Sequence, residues 1–244
     1  MSNNTNNTSH SITPLRTIGL LGGMSWESSA LYYRDINQHV RDALGGLYSA
    51  PMLLDSVNFA QIEAWQRAGE WDKAAQYLSQ RAQALENAGA DCIAIATNTM
   101  HKVYEQIAAA VSVPVLHIAT PTIDALHDAG ITRIALLGTR YSMEQDFMST
   151  IYRAAGIDVL VPDVNGRDVV HNVIFNELCQ GIINQASRER YQTIITSLTA
   201  QGAQAVVLGC TEITLLLSAE DVSVPMFDTA ALHTRALADV VLKK

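Results

Sequence analysis

The sequence predicts an α/β protein made of two pseudo-symmetric three-layer α/β/α domains, with parallel sheets and an active site in the cleft between them. Three observations carry this expectation. The chain repeats itself, since Gly89-Ala90-Asp91-Cys92-Ile93-Ala94-Ile95-Ala96-Thr97-Asn98 is echoed by Gly202-Ala203-Gln204-Ala205-Val206-Val207-Leu208-Gly209-Cys210-Thr211. Two further landmarks recur in the same order: Ile18-Gly19-Leu20-Leu21-Gly22 with Ile134-Ala135-Leu136-Leu137-Gly138, and Val113-Pro114-Val115 with Val224-Pro225-Met226. The apolar runs are short, continuous and separated by helix-length segments, the pattern of parallel strands covered on both faces.

Element by element, residues 17–21 form an apolar run ended by Gly22-Gly23, and Ser25 is placed to N-cap a helix running towards Gly45-Gly46. A strand at 52–57 follows, then a polar, helix-favouring segment at 61–88. The strand at 92–96 leads through Asn98-Thr99 into a helix at 103–110 and another strand at 113–118. The second half repeats the plan: helix 121–129, strand 133–137, helix 142–155, strand 159–162, helices within 168–202, and strands 205–208 and 224–227. A closing helix at 229–242 is expected to pack back on the first half. The expected division is a flexible tail at 1–16, a first half at 17–118 joined by 225–244, and a second half at 119–224.

At 244 residues each half can bury its own core, and 48% hydrophobic with 16% charged residues is a globular composition. A formal net charge of -8 argues against nucleic acid and anionic membrane as partners and favours a small molecule. No apolar run reaches the length of a membrane span. The first 14 residues lack the basic and apolar regions of a signal peptide, and Cys92, Cys179 and Cys210 match neither a disulfide framework nor a zinc pattern. The expectation is reduced thiols in a cytoplasm.

In parallel α/β sheets ligands bind beyond the carboxyl ends of the strands. Gly22-Gly23, Ser56, Thr97-Asn98, Gly138-Thr139 and Cys210-Thr211 lie at those ends, and the repeat makes Thr97 and Cys210 equivalent points that meet across a cleft. Cys210 ends a strand ahead of a helix, where free N–H groups and the helix dipole are expected to lower a thiol pKa. Cys92, mid-strand among apolar neighbours, reads as a small hydrophobe. Thr97-Asn98-Thr99 supplies hydroxyls, an amide and N–H groups suited to a carboxylate, and Thr211-Glu212 is the mirror-image cradle.

Gly22-Gly23-Met24-Ser25 is not a dinucleotide fingerprint and no P-loop lysine follows it, so the glycine pair reads as close backbone approach to a small ligand. Lys102 alone among the lysines falls near the cleft, and a solvated surface role suits it better than a Schiff base. The histidines form no ligand pair at metal spacing, and His101 reads as a site, capping or core residue. Trp26, Trp65 and Trp71 read as packing residues.

The motifs Thr17-Ile18-Gly19-Leu20-Leu21-Gly22-Gly23-Met24, Thr97-Asn98-Thr99-Met100-His101 and Gly209-Cys210-Thr211-Glu212 closely resemble the cofactor-independent aspartate/glutamate racemase family. The resemblance covers nearly the whole chain from Thr17. Glu212 resembles the aspartate/glutamate branch rather than the glutamate racemases of cell-wall synthesis. Met24 to Ser28, Thr97 to Lys102 and Arg140 to Phe147 resemble the broad-specificity or L-Asp/Glu-preferring subgroup. The resemblance implies two-base chemistry at the α-carbon of an amino acid by Cys210 and Thr97, no cofactor, and a homodimer. It implies substrate contacts from Gly23, Met24, Ser56, Asn98, Thr99, Thr139, Thr211 and Glu212.

Two departures stand out. Thr97 replaces the family's first cysteine, and a hydroxyl is a far weaker acid than a thiol. Ile62 and Cys179 stand where many aspartate racemases carry an Arg and a Lys for the distal carboxylate. Two alternatives to racemisation therefore stay open: one-thiol chemistry, either decarboxylation or α-proton exchange, and a small-molecule binding protein without turnover.

Overall fold

A computed structural model describes residues 14–243. Most of the expected tail lies outside these residues, but the backbone N–H of Arg16 is bonded to Val241 O at 3.1 Å, so the ordered chain begins before Thr17.

The first half runs β1 (Ile18–Gly22), α1 (Trp26–Leu44), β2 (Met52–Ser56), α2 (Phe59–Ala68), α3 (Trp71–Asn87), β3 (Cys92–Ile95), a 3-10 turn (Thr99–Val103), α4 (Tyr104–Ala109) and β4 (Val115–Leu116). The second runs α5 (Ala119–Asp128), β5 (Arg133–Gly138), α6 (Arg140–Glu144), α7 (Asp146–Ala154), β6 (Asp158–Leu160), α8 (Val164–Asn176), a 3-10 turn (Leu178–Gln180), α9 (Gln185–Ala200), β7 (Ala205–Gly209), α10 (Ile213–Leu216), a 3-10 turn (Ala219–Asp221) and β8 (Met226–Asp228). Helix α11 (Thr229–Leu242) closes the chain. The sheets are parallel throughout, ordered β2-β1-β3-β4 and β6-β5-β7-β8. The repeat in sequence is thus a repeat in topology, with β1 matching β5 and β3 matching β7.

Strand side chains alternate between faces, and each sheet divides its apolar residues accordingly. Ile93 and Ile95 of β3 join Leu78 of α3, whereas Cys92 and Ala94 join Ile36 of α1 and Leu237 of α11. In the second sheet Leu137 and Val206 face α8 and α9, while Leu136 and Val207 face α5 and α7. Of the central strands, β3 and β7 are buried along their whole length on both sides, as their uniform apolar runs require.

Local signals set the helix ends. Ser25 caps α1 by accepting Ser28 N–H, and Gly45 ends it at φ 75°. The expected single helix at 61–88 is two, because Gly69 takes the left-handed conformation at φ 72° and stops α2. The expected helix at 142–155 is also two, broken where Gln145 adopts extended backbone. The 113–118 strand shrinks to the two residues of β4. At the other end, β8 pairs with β7 in the second sheet, so of the segment 225–244 it is α11 that packs on α1. Trp65 and Trp71 pack as expected, but Trp26 is 68% exposed on the outer face of α1.

The turn after β1 explains its glycine. Gly23 sits at φ 84°, and a Cβ there would lie 2.3 Å from Val57 O and 2.6 Å from Val57 N, backbone atoms that cannot swing aside. Gly45 shares the positive φ, but a Cβ would meet nothing within 4 Å. Gly23→Ala should therefore cost about 2 kcal/mol or more, combining strain with overpacking. Gly45→Ala should cost about 1 kcal/mol, from strain alone. Urea denaturation of the two variants checks this, and equal losses would contradict it.

Candidate active site

The strand tips converge on one cavity. Met24 and Ser25 follow β1, Thr97, Asn98 and Thr99 follow β3, Thr139 follows β5, and Cys210, Thr211 and Glu212 follow β7. Thr97 and Cys210, the duplicated positions, line it together. Its free volume is about 40 Å³, far below the ~300–1,000 Å³ of typical ligand pockets. A larger groove of about 600 Å³ lies between α8 and α9, but it contains none of the residues singled out by the duplication. The duplicated tips make the smaller cavity the candidate site.

Polar bridges hold this cavity shut across the two halves. Thr99 and Thr139 share a hydroxyl–hydroxyl hydrogen bond of 3.0 Å, and Ser25 Oγ donates to Glu212 Oε1 at 2.9 Å. Beside it Trp71 meets Tyr141 edge to face at 5.4 Å, and Lys102 bonds to Gln145 while its ammonium lies 4.1 Å from the Trp71 ring centroid. Lys102 is thus a latch residue rather than a free surface lysine, and it does not line the cavity. Among the described residues no three His, Cys, Asp or Glu side chains are grouped to hold a metal.

Asn98 reverses the role its amide was expected to play. Thr229 Oγ1 spends its proton on Leu208 O at 2.8 Å, so it must accept from Asn98 Nδ2 at 2.9 Å. This fixes the amide with one of its two N–H donors occupied and leaves Oδ1 as a buried acceptor without a protein partner. Its unpartnered Oδ1 is suited to an ammonium.

Glu212 also departs from the expected anion cradle. It is 8% exposed, and its carboxylate accepts from Cys210 Sγ and Thr211 Oγ1 at 2.8 Å each as well as from Ser25. An acceptor so placed repels an anion. The same arrangement overturns the expected low pKa of Cys210. Burial pushes the thiol well up, and the nearby Glu212 carboxylate adds to that shift by accepting the thiol proton; the Glu212 backbone N–H opposes them without prevailing. The four-residue α10 offers too short a dipole to compensate.

Gly23 and Ser56 do not line the cavity. Gly23 lets the β1 turn approach Val57, and Ser56 ends edge strand β2 at the surface with its Oγ beside Gly23. Sequence reasoning missed Ser25 as a wall residue, together with Phe59 and Gln66 of α2 and Ile174 and Phe175 of α8. Ile62, the position expected from the resemblance, is fully buried, and Gln66 one turn later reaches the cavity instead. Cys179 does line it, and burial, reinforced by Glu212 and Glu27, raises its pKa to about 12.

The family of Asp/Glu/hydantoin racemases matches residues 21–237. The chain belongs to this family. It is 51% identical to a candidate Asp/Glu racemase from Yersinia pestis, whose crystal structure superposes with a TM-score of 0.89 over 94% of this chain and 100% of that one. An aspartate racemase homologue from Pyrococcus horikoshii OT3 is 31% identical, with a TM-score of 0.82 and the same coverage. The broad-specificity amino-acid racemase RacX of Bacillus subtilis is 25% identical over 92% of this chain and 98% of its own.

Behind Thr97 this racemase-family chain carries three buried histidines. His101 Nδ1 bonds Thr97 O at 2.9 Å, and its Nε2 accepts Ile118 N–H at 3.1 Å. His117 Nδ1 accepts Ala119 N–H at 3.0 Å, leaving its Nε2–H without a protein partner. His233 bonds Leu116 O through Nε2 and Tyr32 OH through Nδ1. Each therefore has a neutral tautomer set by its partners. Burial lowers His117 to about 4 and His233 to about 3, and burial with the neighbouring histidines holds His101 well below the ordinary value. In the unfolded chain all three titrate near 6.5. Stability is therefore complete above pH 6.5 and falls as pH drops towards 3, since only the unfolded state takes up these protons. Between pH 6.5 and 5, above the ordinary carboxylate range, the expected loss is on the order of 1 kcal/mol per pH unit per histidine. Urea melts across that interval check it, and a flat profile would contradict it.

Proposed function

We propose that this chain is a cofactor-independent amino-acid racemase that moves protons on opposite faces of the α-carbon through Cys210 and Thr97. The observation that carries the proposal is the convergence of these two duplicated tips on one closed cavity. The two halves, 17–118 with α11 and 119–228, supply one tip each. The substrate is an amino acid, and aspartate and glutamate are the first to test.

In this reading the α-carboxylate enters between Thr99 and Thr139, whose hydroxyls turn from each other to donate to it. The α-ammonium takes the unpartnered Asn98 Oδ1. The substrate needs more room than the cavity holds, so the halves part to admit it and close again to exclude water.

The proton path on one side follows the existing hydrogen bond. Cys210 Sγ–H passes its proton to Glu212 Oε2, and the thiolate removes the α-proton. Glu212 is then a proton acceptor for the thiol, not a substrate cradle. A dry site makes the thiolate rare but strongly basic, which suits a weakly acidic α-proton. On the other face Thr97 Oγ1–H gives its proton to the carbanion and is left as an alkoxide, reprotonated from solvent when the halves open; in the reverse direction the hydroxyl first loses its proton to solvent and the alkoxide removes the α-proton. Enantiomers are equal in free energy in water, so kcat/KM is equal in the two directions: a Thr/Cys pair can be slow, but not one-way.

The specific observation that favours an alternative is Thr97 itself, because one strong base suffices for α-proton exchange without inversion. Optical rotation of L- and D-glutamate and aspartate separates the readings, with loss of rotation from either enantiomer expected. Cys210→Ser should lower the rate by at least about 100-fold, the scale of losing a positioned acid/base. Thr97→Cys should raise it. Stable rotation with every substrate would remove the racemase reading, and full activity in Cys210→Ser would remove Cys210 from it.

A further inference from the structure

The three buried histidines all bond one short segment, the crossover from the first half to the second. His233 Nε2–H donates to Leu116 O, His101 Nε2 accepts Ile118 N–H, and His117 Nδ1 accepts Ala119 N–H. Leu116 ends β4 and Ala119 begins α5, so this segment carries the chain between sheets. The rings touch one another, with His101 and His117 centroids 4.5 Å apart and His101 and His233 centroids 6.2 Å apart.

We infer that His101 is a positioning residue that ties Thr97 to the interdomain crossover, so that closure of the halves sets the aim of the weaker base. The inference rests on the racemase reading. The geometry admits one proton arrangement: Nε2 faces an N–H and must accept, so Nδ1 carries the proton and donates to Thr97 O. The bond holds the carbonyl of the residue whose hydroxyl lines the cavity, four residues before His101 in a 3-10 turn that by itself would leave that carbonyl loosely held. The equivalent carbonyl has no tether to a crossover: Cys210 O accepts Ile213 N–H at 3.3 Å from its own turn, and Glu212 bonds the Cys210 side chain. The weaker acid/base thus has its backbone fixed by a ring, and the stronger one has a carboxylate for its proton.

The second crossover is wired to the same tip. Thr229, the first residue of α11, accepts from Asn98 and donates to Leu208 O. Both passages of the chain between halves therefore bond to neighbours at the end of β3, Thr97 through His101 and Asn98 through Thr229. A displacement of the first crossover therefore moves the Thr97 side of the site through His101, whereas the second, bonded to Leu208 of β7 as well as to Asn98, acts on both sides.

The test uses the full chain and resolves the two enantiomers. In heavy water, initial α-deuteration of one enantiomer of glutamate or aspartate reports removal of its proton by Cys210, and that of the other reports removal by Thr97. His101→Gln keeps an acceptor near the Nε2 position and loses the donor to Thr97, so it should slow the Thr97-dependent exchange at least tenfold more than the Cys210-dependent one. His101→Asn keeps a donor at the Nδ1 position and should restore most of that difference. Thermal melts of both variants report folding. Equal slowing of both enantiomers by His101→Gln, or no slowing, or an asymmetry that His101→Asn leaves unchanged, would overturn the inference. If the wild-type protein exchanges neither enantiomer, the racemase reading falls as well.

Discussion

Everything in this molecule depends on two sets of parallel strands ending at the same place. Inverting an α-carbon requires groups on both faces of a planar carbanion, and a single sheet presents its carboxyl ends on one side only. Two copies of the sheet turned towards each other supply the second face. The Thr99–Thr139 and Ser25–Glu212 hydrogen bonds show how close that approach is, with polar atoms of opposite halves within 3.0 Å. Each such bond contributes only about 1 kcal/mol, small enough for the opening and reclosing that the proposed reaction requires.

Desolvation then sets the character of each face. Glu212 is buried and satisfied by three hydroxyl or thiol donors rather than by a cation, so its negative charge raises the thiol pKa instead of lowering it. Cys210 therefore rests as a thiol bonded to Glu212, and in the proposed mechanism it becomes a base by handing that proton over. Thr97 has no comparable partner on its hydroxyl, and its environment acts through the backbone carbonyl and His101. The inequality between the faces extends from residue type to the surroundings of each residue.

The fold was legible because duplication and strand periodicity are both written locally. The repeated strand with its small polar tip identified the central strands and the two opposed residues, and Ser25 declared itself as a cap. What escaped depends on tertiary approach. Gln66 and Phe175 reach the cavity only because α2 and α8 pack beside the strand tips, and nothing in their own neighbourhoods marks them. The direction of the Cys210 pKa was misjudged because a strand-to-helix junction suggests a useful dipole, whereas α10 is one turn long and a carboxylate lies two residues on. The free acceptor of Asn98 depends on Thr229, far away in sequence, which orients the amide by taking one of its N–H groups. His101 gave one faint sign, a histidine four residues after the tip, but its second partner at Ile118 is visible only in three dimensions.

The central claim is that Thr97 and Cys210 serve opposite faces of one carbon. Enantiomer-resolved deuteration in heavy water with Thr97→Ala and Cys210→Ala tests it most directly. The account predicts mirror-image results, each variant losing exchange of one enantiomer and keeping exchange of the other. Loss of the same enantiomer in both variants, or full exchange of both enantiomers in Thr97→Ala, would contradict it.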